Sequence, residues 1–221
     1  MKTYVKQKRD WNHYAFYVSD VDEKYWDFFQ DDWWQLDNNF IRSFEGIQDF
    51  HYCASNFEKY GTPWLEKVLY RSPSPWKKAL KWFASEMETM DTPWLVFGSV
   101  AMTLWGMDVK PEPNNINISF RNFKDYEKIR QHFAPYAIQP FGTCSGWFYS
   151  GYATLYVEDT PISIVIENEG TDLTMKDYQT VNFEGHTLYM ESLENLRNGN
   201  LEYGRPERAK LVEEFMQRKK G

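Results

Sequence analysis

The segment Trp94–Phe120, WLVFGSVAMTLWGMDVKPEPNNINISF, constrains the fold of this chain more than any other. It opens on four apolar residues, Trp94 to Phe97, a length that suits a buried strand. Gly98-Ser99 follows, then a short apolar helix, a loop and a second strand ending at Phe120. A strand that feeds a glycine and then a helix leaves backbone N–H groups without intrahelical partners. Together with the positive helix end they suit a phosphate. Side chains alternate along a strand, so Asn115 and Asn117 share one face of the second.

The flanking segments extend the pattern. Ser72-Pro73-Ser74-Pro75 reads as a joint, with Ser74 as N-cap and Pro75 at the first helical position of a helix running to Met90. Trp76, Leu80, Trp82, Phe83 and Met87 give that helix one broad apolar face, and Asp91-Thr92-Pro93 ends it. After Phe120, Asn122 caps a helix from Phe123 to Phe133. Ile138–Tyr149 contains Gly142 and Gly146 and reads as a strand plus a loop. Tyr152–Val157 and Pro161–Glu167 read as a hairpin turned by Glu158-Asp159-Thr160. Thr180–Met190 gives two further short strands. Ser192 then caps a helix to Asn198, and Arg205–Lys219 forms a last helix burying Leu211, Val212 and Phe215. A mixed β-sheet flanked by helices, in the α+β class, fits this order.

Residues 1–72 form an aromatic-rich N-terminal extension, with the domain boundary set at the Pro-rich joint and a second domain over residues 73–221. Within Val21–Phe44, Tyr25, Phe28, Phe29, Trp33 and Leu36 fall near helical spacing with acids between them, which predicts one helix broken near Asn38-Asn39. Ile47–Tyr60 reads equally as a short helix or a strand. An aromatic stripe of this kind packs a core; its sharper reading is a surface for stacking on a sugar or a base.

Sixteen Phe, 15 Tyr and 10 Trp accompany a mean hydropathy of −0.68, a combination of large core side chains and a polar surface. The net charge of −7 argues against binding nucleic acid or anionic membranes. The Arg218-Lys219-Lys220 tail reads as solvated. Two cysteines without metal-ligand spacing, Cys53 and Cys144, suit a reducing compartment. No apolar run approaches the roughly 20 residues of a membrane helix. MKTYVKQKRDWNHY lacks the apolar stretch of a secretory signal, so a cytoplasmic location is the expectation. His51-Tyr52-Cys53 reads as packed or partly exposed side chains, and no metal site is expected there.

The glycine turn, the short helix and the paired strand positions resemble the nucleotidyltransferase superfamily, in the minimal polymerase-beta-like form of the antibiotic and toxin–antitoxin nucleotidyltransferases. That resemblance covers residues 75–218. It implies Gly98, Ser99 and Arg205 as nucleotide-binding positions, and Asn115 and Asn117 at the two places of the family's Asp-x-Asp. It also implies Pro161-Ile162-Ser163-Ile164 as the strand of the third carboxylate, with Ser163 in the acid's place. The family's C-terminal L-I-x-x-K-L-x-x-G-R-P-x-D is matched at Gly204-Arg205-Pro206, while Asn200 stands for the lysine and Arg208 for the aspartate.

Magnesium prefers charged carboxylate oxygens, and an asparagine offers an amide oxygen without the charge. The resemblance therefore implies a catalytically degenerate nucleotidyltransferase-like protein that retains nucleotide binding or serves as a protein-interaction domain. An active enzyme is the alternative. It would move a nucleoside monophosphate onto a small molecule or a protein hydroxyl with Mg2+ and a nucleoside triphosphate, using Glu112, Glu158 or Glu167 as substitute acids. A non-enzymatic ligand-binding module built on Trp11, Trp26, Trp33 and Trp34 is a further alternative.

Overall fold

The computed structural model describes residues 1–8, 13–29, 33–45, 47–144, 149–168 and 178–219. Two sheets share one long helix. The first sheet holds β1 (Lys2–Lys8), β2 (His13–Ser19), β3 (Trp34–Leu36) and β4 (Asn39–Glu45), in the order β1-β2-β4-β3 with antiparallel neighbours. The helix predicted over Val21–Phe44 does not form. Its first part is a 3-10 helix, Glu23–Phe29, and its second part is the β3–β4 hairpin. Asp37-Asn38 is the two-residue turn of that hairpin, with Asp37 at φ 54°, a left-handed conformation that Asp tolerates. The helical spacing holds no helix beyond Trp33: there the Asp37-Asn38 turn pairs Trp34–Leu36 with Asn39–Ile41 as strands.

From Phe50 on, the ambiguous stretch Ile47–Tyr60 is helical and belongs to α1 (Phe50–Tyr70). On one side its Phe57 stacks on Phe16 of β2, centroids 3.9 Å apart. A Cβ on Gly61 would meet Thr3 at 2.8 Å, so this glycine lets α1 lie close on β1. On another side Asn56 Nδ2 donates to the carbonyls of Pro135 and Ala137, both at 2.9 Å, tying α1 to the second sheet.

That second sheet is built from β5 (Trp94–Phe97), β6 (Ile116–Phe120), β7 (Ala137–Thr143), β8 (Tyr149–Val157), β9 (Thr160–Glu167), β10 (Gln179–Phe183) and β11 (His186–Met190), in the order β10-β11-β5-β6-β9-β8-β7. Its helices are α2 (Trp76–Met87), α3 (Gly98–Leu104), α4 (Tyr126–Phe133), α5 (Leu193–Glu202) and α6 (Pro206–Arg218). The strand at Trp94–Phe97 forms where the sequence predicts it. So do the hairpin turned at Glu158-Asp159 and the caps at Asn122 and Ser192, whose side chains accept from Lys124 N and Asn195 N. The mixed α+β architecture is thus that expected, with the N-terminal sheet added.

One sheet face is apolar. Ile116, Ile118 and Phe120 of β6 and Ile162, Ile164 and Ile166 of β9 are buried, and Phe83 of α2 stacks on Phe133 of α4 at 5.0 Å beside Phe120. Burying side chains of this size is worth roughly 1.5–3 kcal/mol each. The alternate residues, Asn117, Ser119, Ser163, Val165 and Glu167, face the other way. No helix among the described residues is long and apolar enough to cross a membrane.

Candidate functional site

β6 and β9 run parallel, with Asn117 beside Ser163, while Asn117 pairs antiparallel with Phe97 at the end of β5. Residue 98 must turn sharply here, and Gly98 does so at φ +70°, a region that side-chain-bearing residues avoid. A Cβ at Gly98 would lie 2.8 Å from Asn117 Nδ2, so the turn and the strand touch through a glycine-sized gap. Asn115, in the bend just before β6, donates from Nδ2 to Asn117 Oδ1 at 2.8 Å. The tertiary structure therefore brings together Asn115, Asn117, Ser163 and Gly98, four positions spread over 66 residues of sequence.

This group does not fit magnesium. The amide oxygen of Asn117 is engaged by Asn115, its NH2 lies against the Gly98 turn, and Ser163 adds only a hydroxyl. Exchanging the amide O and N leaves the group just as uncharged. Among the described residues, no group of three or more His, Cys, Asp or Glu side chains is placed to hold a metal ion. His51 is exposed, and Cys53 is buried with its thiol pushed up to about 12 by burial and by Asp49.

Asn115 and Ser163 open into a cleft of about 720 Å³ between the two sheets. Trp33 and Trp64 wall it from the N-terminal side, and Tyr149 and Tyr152 from β8. Its polar groups are amides and hydroxyls, Asn114, Gln139, Thr154 and Ser163, with the single cation Arg42; no carboxylate is among the described residues that line it. Of the aromatic residues singled out in the N-terminal segment, Phe29 and Trp33 are buried, Trp26 is half-buried, and Trp34 is 78% exposed on the edge strand β3. Trp11 lies outside the described residues.

Glu191, just beyond β11, has its carboxyl under the influence of the Gly98 N–H, and its carbonyl accepts from Trp105 Nε1 at 3.1 Å. Burial pushes this carboxyl up to about 7. The Gly98 N–H and Arg121 pull it down, and Glu167 raises it further. Ser99 is buried in the first turn of α3, and its carbonyl accepts from Thr103 Oγ1 at 3.0 Å.

The three acids considered as substitutes stand elsewhere. Glu112 is exposed on the loop before β6. Glu158 is in the β8–β9 turn and lines a separate pocket with Asn56 and Tyr60. Glu167 lies four residues beyond Ser163 on β9, about 13 Å along the strand. There it is buried and bonded to Arg121 and to Ser119.

Of the C-terminal positions, Asn200 is buried and donates to the Leu196 carbonyl at 2.7 Å and toward Met102 Sδ at 3.8 Å, so it ties α5 to α3. Arg205 is exposed, its guanidinium 5.6 Å from the centroid of its neighbour Tyr203, and it does not line the cleft. Arg208 is pulled below the usual arginine value by burial and by the nearby Arg205 and Arg71. Sequence reasoning passed over Glu191 and Arg121. A Glu after a strand and an Arg after a strand carry no local mark, and only the sheet order brings them together.

No protein-family model matches the sequence, and no curated protein matches it. Solved structures do. A protein from Thermotoga maritima described as a candidate nucleotidyltransferase superposes with a TM-score of 0.51 at 19% identity, over 65% of this chain and 93% of that one. A lincosamide antibiotic adenylyltransferase with lincomycin bound gives 0.46 at 14% identity, over 64% and 97%. A nucleotidyltransferase-like protein from Paracoccidioides brasiliensis gives 0.41 at 12% identity, over 62% and 74%. The chain has a nucleotidyltransferase-like fold. At these identities the likeness extends to the fold and leaves the chemistry to the residues.

Proposed function

We propose that this chain is a nucleotidyltransferase-fold binding protein that does not carry out metal-dependent nucleotidyl transfer, and that its cleft holds a small uncharged polar molecule of nucleoside or sugar size. The observation that supports this reading is the side-by-side placement of the uncharged Asn115, Asn117 and Ser163, the residues that the sequence resemblance aligns with the family's acids. Nucleotidyl transfer requires cations to bridge the phosphate oxygens and offset developing charge. A cleft lined by amides and hydroxyls supplies no ligand charge for such ions.

The remaining features support binding of a neutral ligand. Indole and phenol rings offer flat faces for stacking, and the amides and hydroxyls offer both donors and acceptors. A volume of about 720 Å³ accommodates a nucleoside or a disaccharide. Above about pH 7 the Glu191 carboxyl near the Gly98 turn is charged, and that charge disfavours triphosphates there.

The test pairs a transfer assay with a binding assay. Incubation with labelled ATP, GTP, CTP or UTP and Mg2+ is expected to leave no label on small-molecule or protein acceptors. Thermal melts are expected to shift with a member of a panel of nucleosides and sugars, and not with Mg2+-nucleotide beyond the nucleoside's own effect. Transferred label, or a melting shift that requires magnesium, overturns this reading.

A further inference from the structure

A second cavity, of about 440 Å³, lies on the polar face of the same sheet at the other end of β6. Leu95 and Phe97 of β5 and Val165 of β9 give it an apolar floor, and Tyr203, just beyond α5, adds a ring. Four charged side chains share it: Arg121, Glu167, Glu191 and Glu202. Arg121 is bonded to Glu167, both side chains under one-tenth exposed, so the charges of this pair cancel. Two carboxyls remain, Glu191 after β11 and the exposed Glu202 at the end of α5. No further Lys, Arg or His among the described residues lines the cavity, and Arg205 stands outside it against the Tyr203 ring.

Glu191 is the member of this group that the fold leaves short of partners. It is mostly buried, yet the Gly98 N–H is the one hydrogen-bond donor among the described residues that acts on its carboxyl. A carboxylate taken out of water is costly unless it is paired with a cation and fully hydrogen-bonded. Burial and the neighbouring Glu167 accordingly push this carboxyl up to about 7 against the pull of the Gly98 N–H and Arg121. A cation entering the cavity would supply the missing partner. A metal ion does not suit the place, because it needs several oxygen ligands in one shell and the described residues offer no such group. An organic cation does suit it, since its carbon skeleton covers the apolar floor and the faces of Phe97 and Tyr203 also attract positive charge.

We propose that this cavity binds a small organic monoamine with an aromatic or branched aliphatic body, its ammonium paired with Glu191 and its body on Leu95, Phe97 and Val165. Glu202 at the rim adds attraction at longer range. The pairing couples binding to the Glu191 proton. At pH 8 this carboxyl is mostly ionised and at pH 6 mostly protonated, and the protonated form offers an ammonium no opposite charge. The other titratable or charged groups in the cavity are Glu167 on β9, Arg121 after β6, Tyr178 before β10, and Glu202 and Tyr203 on the α5 side. Glu191→Gln keeps all of them. The inference does not depend on what occupies the cleft between the sheets.

The experiment is calorimetric titration of the full chain at pH 8 and pH 6 with phenethylamine and isopentylamine, against ethylamine, 2-phenylethanol and spermidine. At pH 8 at least one of the first two amines is expected to saturate a single site at millimolar concentration or below. Ethylamine lacks the apolar body and phenylethanol lacks the charge, so each should bind at least about tenfold more weakly. Affinity for the amine should fall about tenfold at pH 6, following the ionised fraction of a carboxyl that titrates at about 7. Glu191→Gln keeps the shape of the site; it should weaken the amine by at least about tenfold at pH 8 and remove the difference between the two pH values. Absence of amine binding at pH 8, equal binding of ethylamine or phenylethanol, tighter binding of spermidine, or an affinity and pH response that Glu191→Gln leaves unchanged overturns the proposal.

Discussion

Asn117 and Ser163 are register partners on adjacent parallel strands, 46 positions apart in the chain and side by side on the polar face of the sheet. With Asn115 bonded to Asn117, they place three uncharged side chains at a junction where the glycine turn, β6 and β9 converge. The electrostatic consequence is testable by restoring charge.

The triple variant Asn115→Asp, Asn117→Asp, Ser163→Asp sets three like charges in contact. Without metal its melting temperature should fall below that of the natural protein, through mutual repulsion. Millimolar magnesium should restore much of the loss and leave the natural protein's melt unmoved. A magnesium titration followed by differential scanning calorimetry distinguishes the two proteins. An identical magnesium response would contradict the charge argument.

Gly98→Ala should destabilise the fold by about 1–3 kcal/mol, from the cost of φ +70° for a side-chain-bearing residue and from contact with Asn117 Nδ2 at 2.8 Å. Adding Asn117→Ala should recover the contact part and leave the backbone part. Urea denaturation of the two single variants and the double variant gives the coupling directly.

The Glu191 carboxyl is raised from 4.5 to about 7, so the folded state holds its proton more tightly than the unfolded chain does. Its contribution to stability is therefore complete below about pH 4.5 and is lost as pH rises through 7, by up to about 3 kcal/mol. Glu191→Gln should flatten the stability profile between pH 5 and pH 8 and leave the variant the more stable protein at the upper end. Urea midpoints at these two pH values are the measurement; a natural protein whose stability holds level or rises across that window would refute the assignment.

Arg121 and Glu167 form a buried ion pair, each side chain under one-tenth exposed. Arg121→Met alone leaves a buried carboxylate unpaired and should cost roughly 3–5 kcal/mol. The double replacement Arg121→Met, Glu167→Leu removes both charges and should cost clearly less than the single change. A double variant less stable than the single would show that the pair stabilises by more than its own neutralisation.

The elements of the larger sheet were legible because local rules and tertiary packing agree there. Trp94–Phe97 is an apolar run between Pro93 and Gly98, Asn122 and Ser192 are strong helix caps, and Glu158-Asp159 is a turn between alternating strands. The N-terminal segment was misread because Phe29, Trp33 and Leu36 fall four and three residues apart, the spacing of one helical face, although Phe29 ends a 3-10 helix and Leu36 lies in a strand. The Asp37-Asn38 turn and pairing of β4 with β2 settle that ambiguity, and pairing with a distant strand is a non-local interaction.

The sequence by itself determined that Asn115, Asn117 and Ser163 carry no charge, and that Gly98 marks a strand-to-helix turn. Chemical identity and backbone freedom are properties of single residues. Only the tertiary structure decided that these residues meet, that Glu191 approaches the glycine turn from another strand, and that Glu167 is bound to Arg121 instead of lining the cleft. The reason is physical: hydrogen bonding between strands and burial of Ile116, Ile118, Ile162 and Ile164 bring distant segments into register, and the polar side chains on the opposite face follow the pleat.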